Sequence, residues 1–412
     1  MIFYDNQDKT RLGFIIEYKR SSLNRQDSLA INRFLMDEEG KQICDFKTYQ
    51  KLQAGLPIRN DDVYDLLLEK FGYSATDIFA SLNIVDQLGR DLIAPVNSMN
   101  ETAIKLSCLQ AERDLKQIKN ILLVEDFIKL ITTIKKGYLE DKFISEFEFH
   151  ELSNGLKFMK KDMQALFLHL MYQYVAHLKR GIKEINEFVE ENKIKDFNEI
   201  FLRIDYCEYL LLNRKRFEAL EGFERVLAKA EHENNIACIL LMQMEMFNLM
   251  DGISNQHYHH YYDEILNMLK KHKDKISMST KNRLFYGLGM YFYQNEYYKE
   301  AFTYLAHCYK NNIDKYFFCY IYCNYMNRKK LIKKLVFNDS YISPIHTQNG
   351  IYYEYYRQVA LKKSEKTLKH FLLKNIKKTM SESSDYYPIF TGEMVKLCDS
   401  SEDYCSIRKW LE

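Results

Sequence analysis

Ile43-Cys44-Asp45-Phe46-Lys47-Thr48-Tyr49-Gln50-Lys51-Leu52-Gln53-Ala54-Gly55 carries the start and stop signals of a short, separately bounded helix. Asp45 is a good N-cap, because its carboxylate accepts from the orphan amides of the next turn. Gly55 suits the left-handed residue that ends a helix. The helix between them is about two to three turns long. Phe46, Tyr49 and Leu52 keep helical spacing and are expected to anchor one side, while Lys47, Thr48, Gln50 and Lys51 fall toward the other. A helix buried on one side and lined with donors on the other suits the major groove of double-stranded DNA.

Working outward, Leu12, Ile15 and Ile16 mark a first helix over 12–21. A second is expected over 26–35, capped by Ser21 or Asn24 and carrying Leu29, Ala30, Arg33 and Phe34. Past Pro57, Asp61 or Asp62 caps a fourth helix with Val63, Leu66, Leu67 and Phe71, closed by Gly72. The stretch from Phe34 to Ile43 alternates around Glu39-Gly40 and reads as a small hairpin wing, placed either to contact phosphates or to block the groove.

The 412 residues exceed one ordinary core, so two or more domains are expected. With 47% hydrophobic and 28% charged residues the chain is globular. Only 4 prolines and 14 glycines stand against 32 tyrosines and 26 phenylalanines, too few breakers for a sheet fold with many tight turns. An all-α class follows. The 9 cysteines have no framework spacing, and the opening Met-Ile-Phe-Tyr-Asp lacks the charged and apolar regions of a signal peptide, so reduced thiols in a cytoplasm are expected. No apolar run approaches the ~18 residues of a membrane span; Ile121 to Ile134 is cut by Glu125, Asp126 and Lys129.

A net charge of +2 argues against nucleic-acid contact along the whole chain, so any contact must be local. Residues 1–72 hold 11 Lys plus Arg and 12 Asp plus Glu, a balance of −1. Lys19, Arg20, Arg25, Arg33, Lys47, Lys51 and Arg59 nevertheless flank the groove helix, whereas Asp61, Asp62, Asp65 and Glu69 fall on a later one.

From about Gln110 onward the chain reads as helix pairs with few breakers. Tyr206, Leu210, Phe217, Ala219, Phe223 and Leu227 form one pair; Leu288, Gly289, Phe292, Tyr298, Ala301, Leu305 and Cys308 form another. Residues 236–250 with 257–272 fill the space between them, and 115–136 with 143–159 and 162–180 with 181–191 make two more upstream. Residues 316–330, 351–363, 365–380 and 404–411 supply a last pair and a capping region. The unit over 282–314 resembles a tetratricopeptide repeat, with Leu-Gly in its first helix and Ala in its second. Such hairpins bury their apolar stripes only by stacking, and the curved stack leaves a groove suited to extended peptides. First-helix positions not used for packing are Asp205, Glu208, Gln243, Asn248, Tyr286, Met290, Tyr293 and Gln294. Carboxamides there hold a peptide backbone and tyrosines bury its apolar side chains.

Other chemistry finds little support. His257, His259 and His260 with Asp263 lack a second ligand pair and read as solvated or capping residues. Cys319 and Cys323 lie in an aromatic run that favours buried apolar thiols. Lys362 to Lys378 reads as an exposed helix face. With no phosphate loop and no hydrolytic motif, neither an enzyme nor a cofactor is expected.

The N-terminal segment resembles the helix-turn-helix domain of repressors related to phage lambda repressor, and more closely that of Rgg- and PlcR-type peptide-pheromone receptors. Leu12-Gly13 with Tyr18-Lys19-Arg20 looks like the family's first helix, Leu23, Gln26, Leu29 and Ala30 like its second, and Ile43-Cys44-Asp45 leading to Leu52 and Gly55 like its recognition helix. About eight residues more than is usual separate Ala30 from Ile43, and Gln53 stands where an acidic residue is common. The resemblance covers about one sixth of the chain and implies a homodimeric transcriptional regulator, active in quorum sensing, that binds DNA and responds to a short signalling peptide. In that scheme Lys47, Thr48, Gln50 and Lys51 meet base edges or phosphates, and Gln26, Lys41 and Arg59 position the backbone. The expected layout is a helix-turn-helix domain at 1–73, a linker helix region at 74–109, a right-handed superhelical array of tetratricopeptide-like hairpins at 110–380 and capping helices at 381–412.

Overall fold

The computed structural model describes residues 4–22, 31–140, 142–177, 181–250, 255–272, 276–295, 297–311, 351, 354–356, 358–359, 361–379, 387–399 and 403–411. Among them every regular element is helical, as the composition implies, and the one strand-like feature is an isolated antiparallel bridge between Met36 and Gln42. The chain forms two compact units, Met1–Leu249 and Met250–Glu412. That limit falls inside the 110–380 expected for the array, and the 1–73 segment belongs to the first unit.

In the first unit, α1 (Asn6–Ser22), α2 (Ile31–Phe34), α3 (Phe46–Gln53) and α4 (Asp62–Glu69) form the N-terminal bundle. Residues 23–30, hence Leu23, Gln26, Leu29 and Ala30 of the expected second helix, lie outside the described residues. Leu12, Ile15, Ile16, Phe34, Tyr49, Leu52, Val63 and Leu67 are buried in one small core. Leu66 and Phe46, both expected to pack, are not: Leu66 is exposed on the outer side of α4.

The expected linker residues form α5 (Ala75–Asn97) and part of α6 (Glu101–Leu115). Ser74 accepts from the Asp77 amide at 3.1 Å and starts α5. This 23-residue helix buries Ile78, Leu82, Val85, Leu88 and Leu92 against α6, α7 (Ile121–Glu140) and α9 (Lys161–His177). It is the unit's central strut. Next come α8 (Glu146–Gly155), α10 (Ile182–Glu191), α11 (Ile200–Leu212), α12 (Arg216–His232) and α13 (Ile236–Met250). Successive helices pack as hairpins, most extensively α5 on α6, α6 on α7 and α11 on α12. In α11 and α12, Leu210, Ala219 and Phe223 are buried as their pattern predicts, but Phe217 stands 88% exposed at the first turn of α12.

The second unit contains α14 (Asn255–Lys271), α15 (Met278–Gln294) and α16 (Tyr298–Asn311). Leu288, Ala301 and Leu305 are fully buried where α15 packs on α16, in line with the repeat pattern. Residues 312–350, which include Cys319 and Cys323, lie outside the described residues. Further on, Lys369 of the Glu365–Phe371 helix is buried and pairs with Asp403 at 2.7 Å, so the lysine-rich segment is not uniformly an exposed face. Trp410 in the final helix, Tyr404–Leu411, donates to the Thr391 hydroxyl at 2.9 Å.

Candidate nucleic-acid interface

The helix α3 is bounded as its sequence requires. Asp45 has extended backbone geometry, and its carboxylate accepts the Thr48 amide at 2.6 Å. These hydrogen bonds to Thr48 lower the Asp45 pKa. At the other end Gly55 takes a φ of +68°, the Leu56 amide donates to the Lys51 carbonyl at 2.8 Å and the Gly55 amide to the Leu52 carbonyl at 2.9 Å. That is the paired closure of a left-handed helix end, and a side chain at Gly55 would also run into the Phe14 ring.

Two contacts fix the direction in which α3 faces. Tyr49 meets the Phe34 ring edge-on at 5.7 Å, and Leu52 seats its backbone over Gly13 of α1, where an added methyl group would lie 2.8 Å from the Leu52 carbonyl oxygen. Only a glycine permits that approach. Phe46, Tyr49 and Leu52 span about 120° of the helix circumference. The core takes the last two and leaves Phe46 at the edge, 49% exposed. Phe46 is therefore not an anchor.

The opposite side presents Lys47, Gln50 and Lys51, all exposed, with Lys41 on the wing and Arg59 after the helix also exposed. None of Lys41, Lys47, Lys51 and Arg59 forms an ion pair with a described residue. Thr48 differs: half-buried, it gives its amide to Asp45 and serves the cap. The wing closes through Asp37, whose amide donates to the Lys41 carbonyl at 2.8 Å and whose carboxylate accepts the Glu39 and Lys41 amides. Gly40 at φ +81° supplies the turn.

Charge near α3 is sorted by pairing. Lys9 meets Asp61 at 2.7 Å, Lys19 meets Asp126, and Arg20 meets Glu17 at 2.9 Å, so Lys19 and Arg20 of the expected basic flank are spent within the protein. Glu17 is the residue that the sequence reading missed. It accepts from Tyr49 Oη at 2.6 Å and Gln53 Nε2 at 2.9 Å as well as from Arg20, tying α1 to α3. Gln53 is thus suited to its place: an acid there would face the Glu17 carboxylate.

Burial raises the Glu17 pKa, but the hydrogen bonds from Arg20, Tyr49 and Gln53 outweigh it and lower the pKa from 4.5. A lowered carboxyl pKa contributes stability that is present above the unfolded value and lost as pH falls through the folded one. Acid unfolding is accordingly expected to begin to weaken the α1–α3 contact below pH 4.5. Glu17→Gln should remove that component, which a pH series of thermal unfolding reads directly.

A second anchoring group lies beneath the bundle. Arg11 donates through both terminal nitrogens to Asp86 of α5 at 2.9 Å each and through Nε to the Phe158 carbonyl at 2.9 Å. Lys160 adds a fourth contact, 3.2 Å from Asp86. Asp126 of α7 likewise accepts from both Lys19 and Tyr73. The N-terminal bundle is thus fastened to α5, α7 and the α8–α9 turn.

Two of the eight expected groove residues, Asp205 and Gln243, are buried. Asp205 is fully buried and accepts from His169 Nδ1 at 2.7 Å and Gln173 Nε2 at 3.0 Å, so it holds α9 to α11 and does not line a groove. Gln243 is also buried, because α13 is enclosed around most of its circumference. Glu208 is half-buried and Asn248 exposed in the first unit. Tyr286, Met290 and Tyr293 are half-buried in α15 of the second unit, and the Gln294 side chain lies outside the described residues.

No family model matches the chain, and no curated protein or solved structure matches it either.

Proposed function

We propose that this chain is a DNA-binding transcriptional regulator that works as a cytoplasmic homodimer, its helix-turn-helix-like N-terminal bundle reading double-stranded DNA and its tetratricopeptide-like hairpins sensing a short signalling peptide. The observation that carries the reading is the outward side of α3: Lys47, Gln50 and Lys51 exposed, the two lysines without ion pairs to described residues, on a helix capped at both ends and locked against Gly13 and Phe34. Two lysines and a carboxamide on a rigid, protruding helix fit phosphate and base-edge contact. The resemblance of the N-terminal sequence to peptide-pheromone receptors supports the sensing half, as does the hairpin pattern around Leu288, Ala301 and Leu305.

The test is a mobility-shift titration with duplex DNA from upstream of the protein's own gene across a salt series. Binding should weaken steeply with salt, and Lys47→Ala with Lys51→Ala should reduce the logarithmic salt slope by about 2 while weakening affinity for all sequences alike. Unchanged binding by the double variant removes α3 from the interface. Peptides secreted from the same genome should shift DNA affinity or thermal stability; the sensing half fails if none does.

A second reading rests on Phe46 and Leu56, which are exposed at the two ends of α3. An apolar rim suits a protein partner, and a repeat scaffold or anti-activator would use the same helix to dock without specific DNA binding. Absence of any salt-sensitive DNA binding at low salt selects this second reading.

A further inference from the structure

We infer that the wing over 35–43 is an electrostatic brake on the DNA contact proposed for α3, holding phosphates off instead of gripping them; the inference rests on that reading of α3. The chemistry of the tip decides between the two roles open to a wing. A wing that grips phosphate offers cations or free backbone amides at its tip. Here the tip is Asp37-Glu38-Glu39-Gly40, and Lys41 is the one cation on the wing. The amides are already used: those of Glu39 and Lys41 donate to Asp37 Oδ1 at 3.0 and 2.7 Å, and that of Gly40 to the Asp37 carbonyl at 3.2 Å. The Asp37 carboxylate thus fills the place that a phosphate would take. What remains for a ligand is Glu38 and Glu39, both exposed and neither in an ion pair with a described residue.

The wing is held beside the start of α3. Met36 pairs with Gln42 across the hairpin, the Ile43 amide donates to the Leu35 carbonyl at 2.8 Å, and Leu35 and Cys44 are buried at its feet. Gln42 Nε2 donates to the Cys44 carbonyl at 3.2 Å, one residue before the Asp45 cap. Glu39 precedes Asp45 by six residues, so even a fully extended chain would keep the tip within about 20 Å of the first turn of α3. The screening length is about 30 Å in 0.01 M salt and about 10 Å in 0.1 M. Phosphates of a duplex seated on Lys47, Gln50 and Lys51 therefore feel the two glutamates strongly at low salt and weakly at high salt.

The local balance makes these two charges count. Arg33, Lys41, Lys47, Lys51 and Arg59 stand against Asp37, Glu38, Glu39 and Asp45, five cations to four acids between residues 33 and 59. Without Glu38 and Glu39 the same stretch would hold five cations to two acids, a clearly basic surface. Repulsion between a carboxylate and the phosphate backbone does not depend on base sequence. The wing therefore lowers affinity for every duplex alike and leaves discrimination to the side chains of α3.

The test uses the full chain, duplex DNA from upstream of its own gene and an unrelated duplex of equal length, each titrated across a salt series. Asp37 is left intact because it closes the turn. Glu38→Gln with Glu39→Gln should tighten binding to both duplexes about threefold at low salt, and Glu38→Lys with Glu39→Lys about tenfold or more, with the gains shrinking as salt rises. The thermal midpoint should not move, since both side chains are exposed. Glu187→Gln with Glu218→Gln, on α10 and α12, makes the same change in net charge away from the wing and should leave affinity nearly unchanged. The brake is overturned if the wing variants bind no tighter than the unaltered protein, if they bind more weakly, or if the α10 and α12 pair gives an equal gain. If the unaltered protein binds and the wing variants match it, the inference alone falls and the α3 reading stands. If neither the unaltered protein nor any variant binds DNA at low salt, the α3 reading fails and the brake falls with it.

Discussion

Asp86→Ala is expected to destabilise the first unit by about 3–5 kcal/mol, because it leaves the Arg11 guanidinium buried without its carboxylate. Both partners are almost wholly enclosed, and the geometry is bidentate, with each terminal nitrogen 2.9 Å from its own oxygen. The Nε bond to the Phe158 carbonyl cannot neutralise the charge that remains. Replacing both partners together, Arg11→Met with Asp86→Leu, should recover most of the loss, since a buried ion pair contributes little net stability beyond a well-packed apolar pair. Chemical denaturation of the single and double variants checks this. Near-additive losses would show that the two side chains do not act as one unit. The double variant should remain folded but lose the bidentate link that orients α1 on α5.

Local signals were legible in the sequence, and long-range ones were not. Asp45 and Gly55 bound α3 as read, because capping depends on residues within one turn of the helix end. Leu288, Ala301 and Leu305 are buried as read, because a 3.6-residue stripe records its own inner face. Phe46, Leu66 and Phe217 failed at the edges of such stripes, where a turn of about 60° decides between core and solvent and neighbouring elements determine the outcome. Asp205 read as a groove residue because an acid on a first helix looks unused until its partners are known, and His169 and Gln173 lie more than thirty residues away. A subtler signal was present. Arg11 sits one turn before Ile15 on the buried side of α1, and Asp86 shares the stripe of Leu82, Val85 and Gly89 in α5; a charge on an otherwise apolar stripe marks a buried partner somewhere else in the chain.

Phe34→Ala should cost a further order of about 3–5 kcal/mol by opening a cavity at the junction of α2, α3 and α4. Phe34 is fully buried and touches the rings of Tyr49 at 5.7 Å and Phe71 at 5.6 Å, so its loss removes aromatic pairing as well as apolar burial. The form of the unfolding curve is as informative as its midpoint. If the N-terminal bundle were an independent domain, the substitution would split off an early transition and leave the rest of the first unit unchanged. The contacts Arg11–Asp86, Lys19–Asp126 and Tyr73–Asp126 instead fasten α1 and the α4–α5 connection to α5 and α7. A single transition shifted to lower denaturant is therefore expected, with its slope preserved. That outcome matters for the proposed regulator, because a reading helix mounted on a cooperative unit moves only when the unit moves. A peptide bound by the hairpins then acts by selecting among orientations of the whole unit, and it can shift DNA affinity by no more than its own differential affinity for them. Two resolved transitions in Phe34→Ala would reject this rigid mounting and return α3 to a tethered domain.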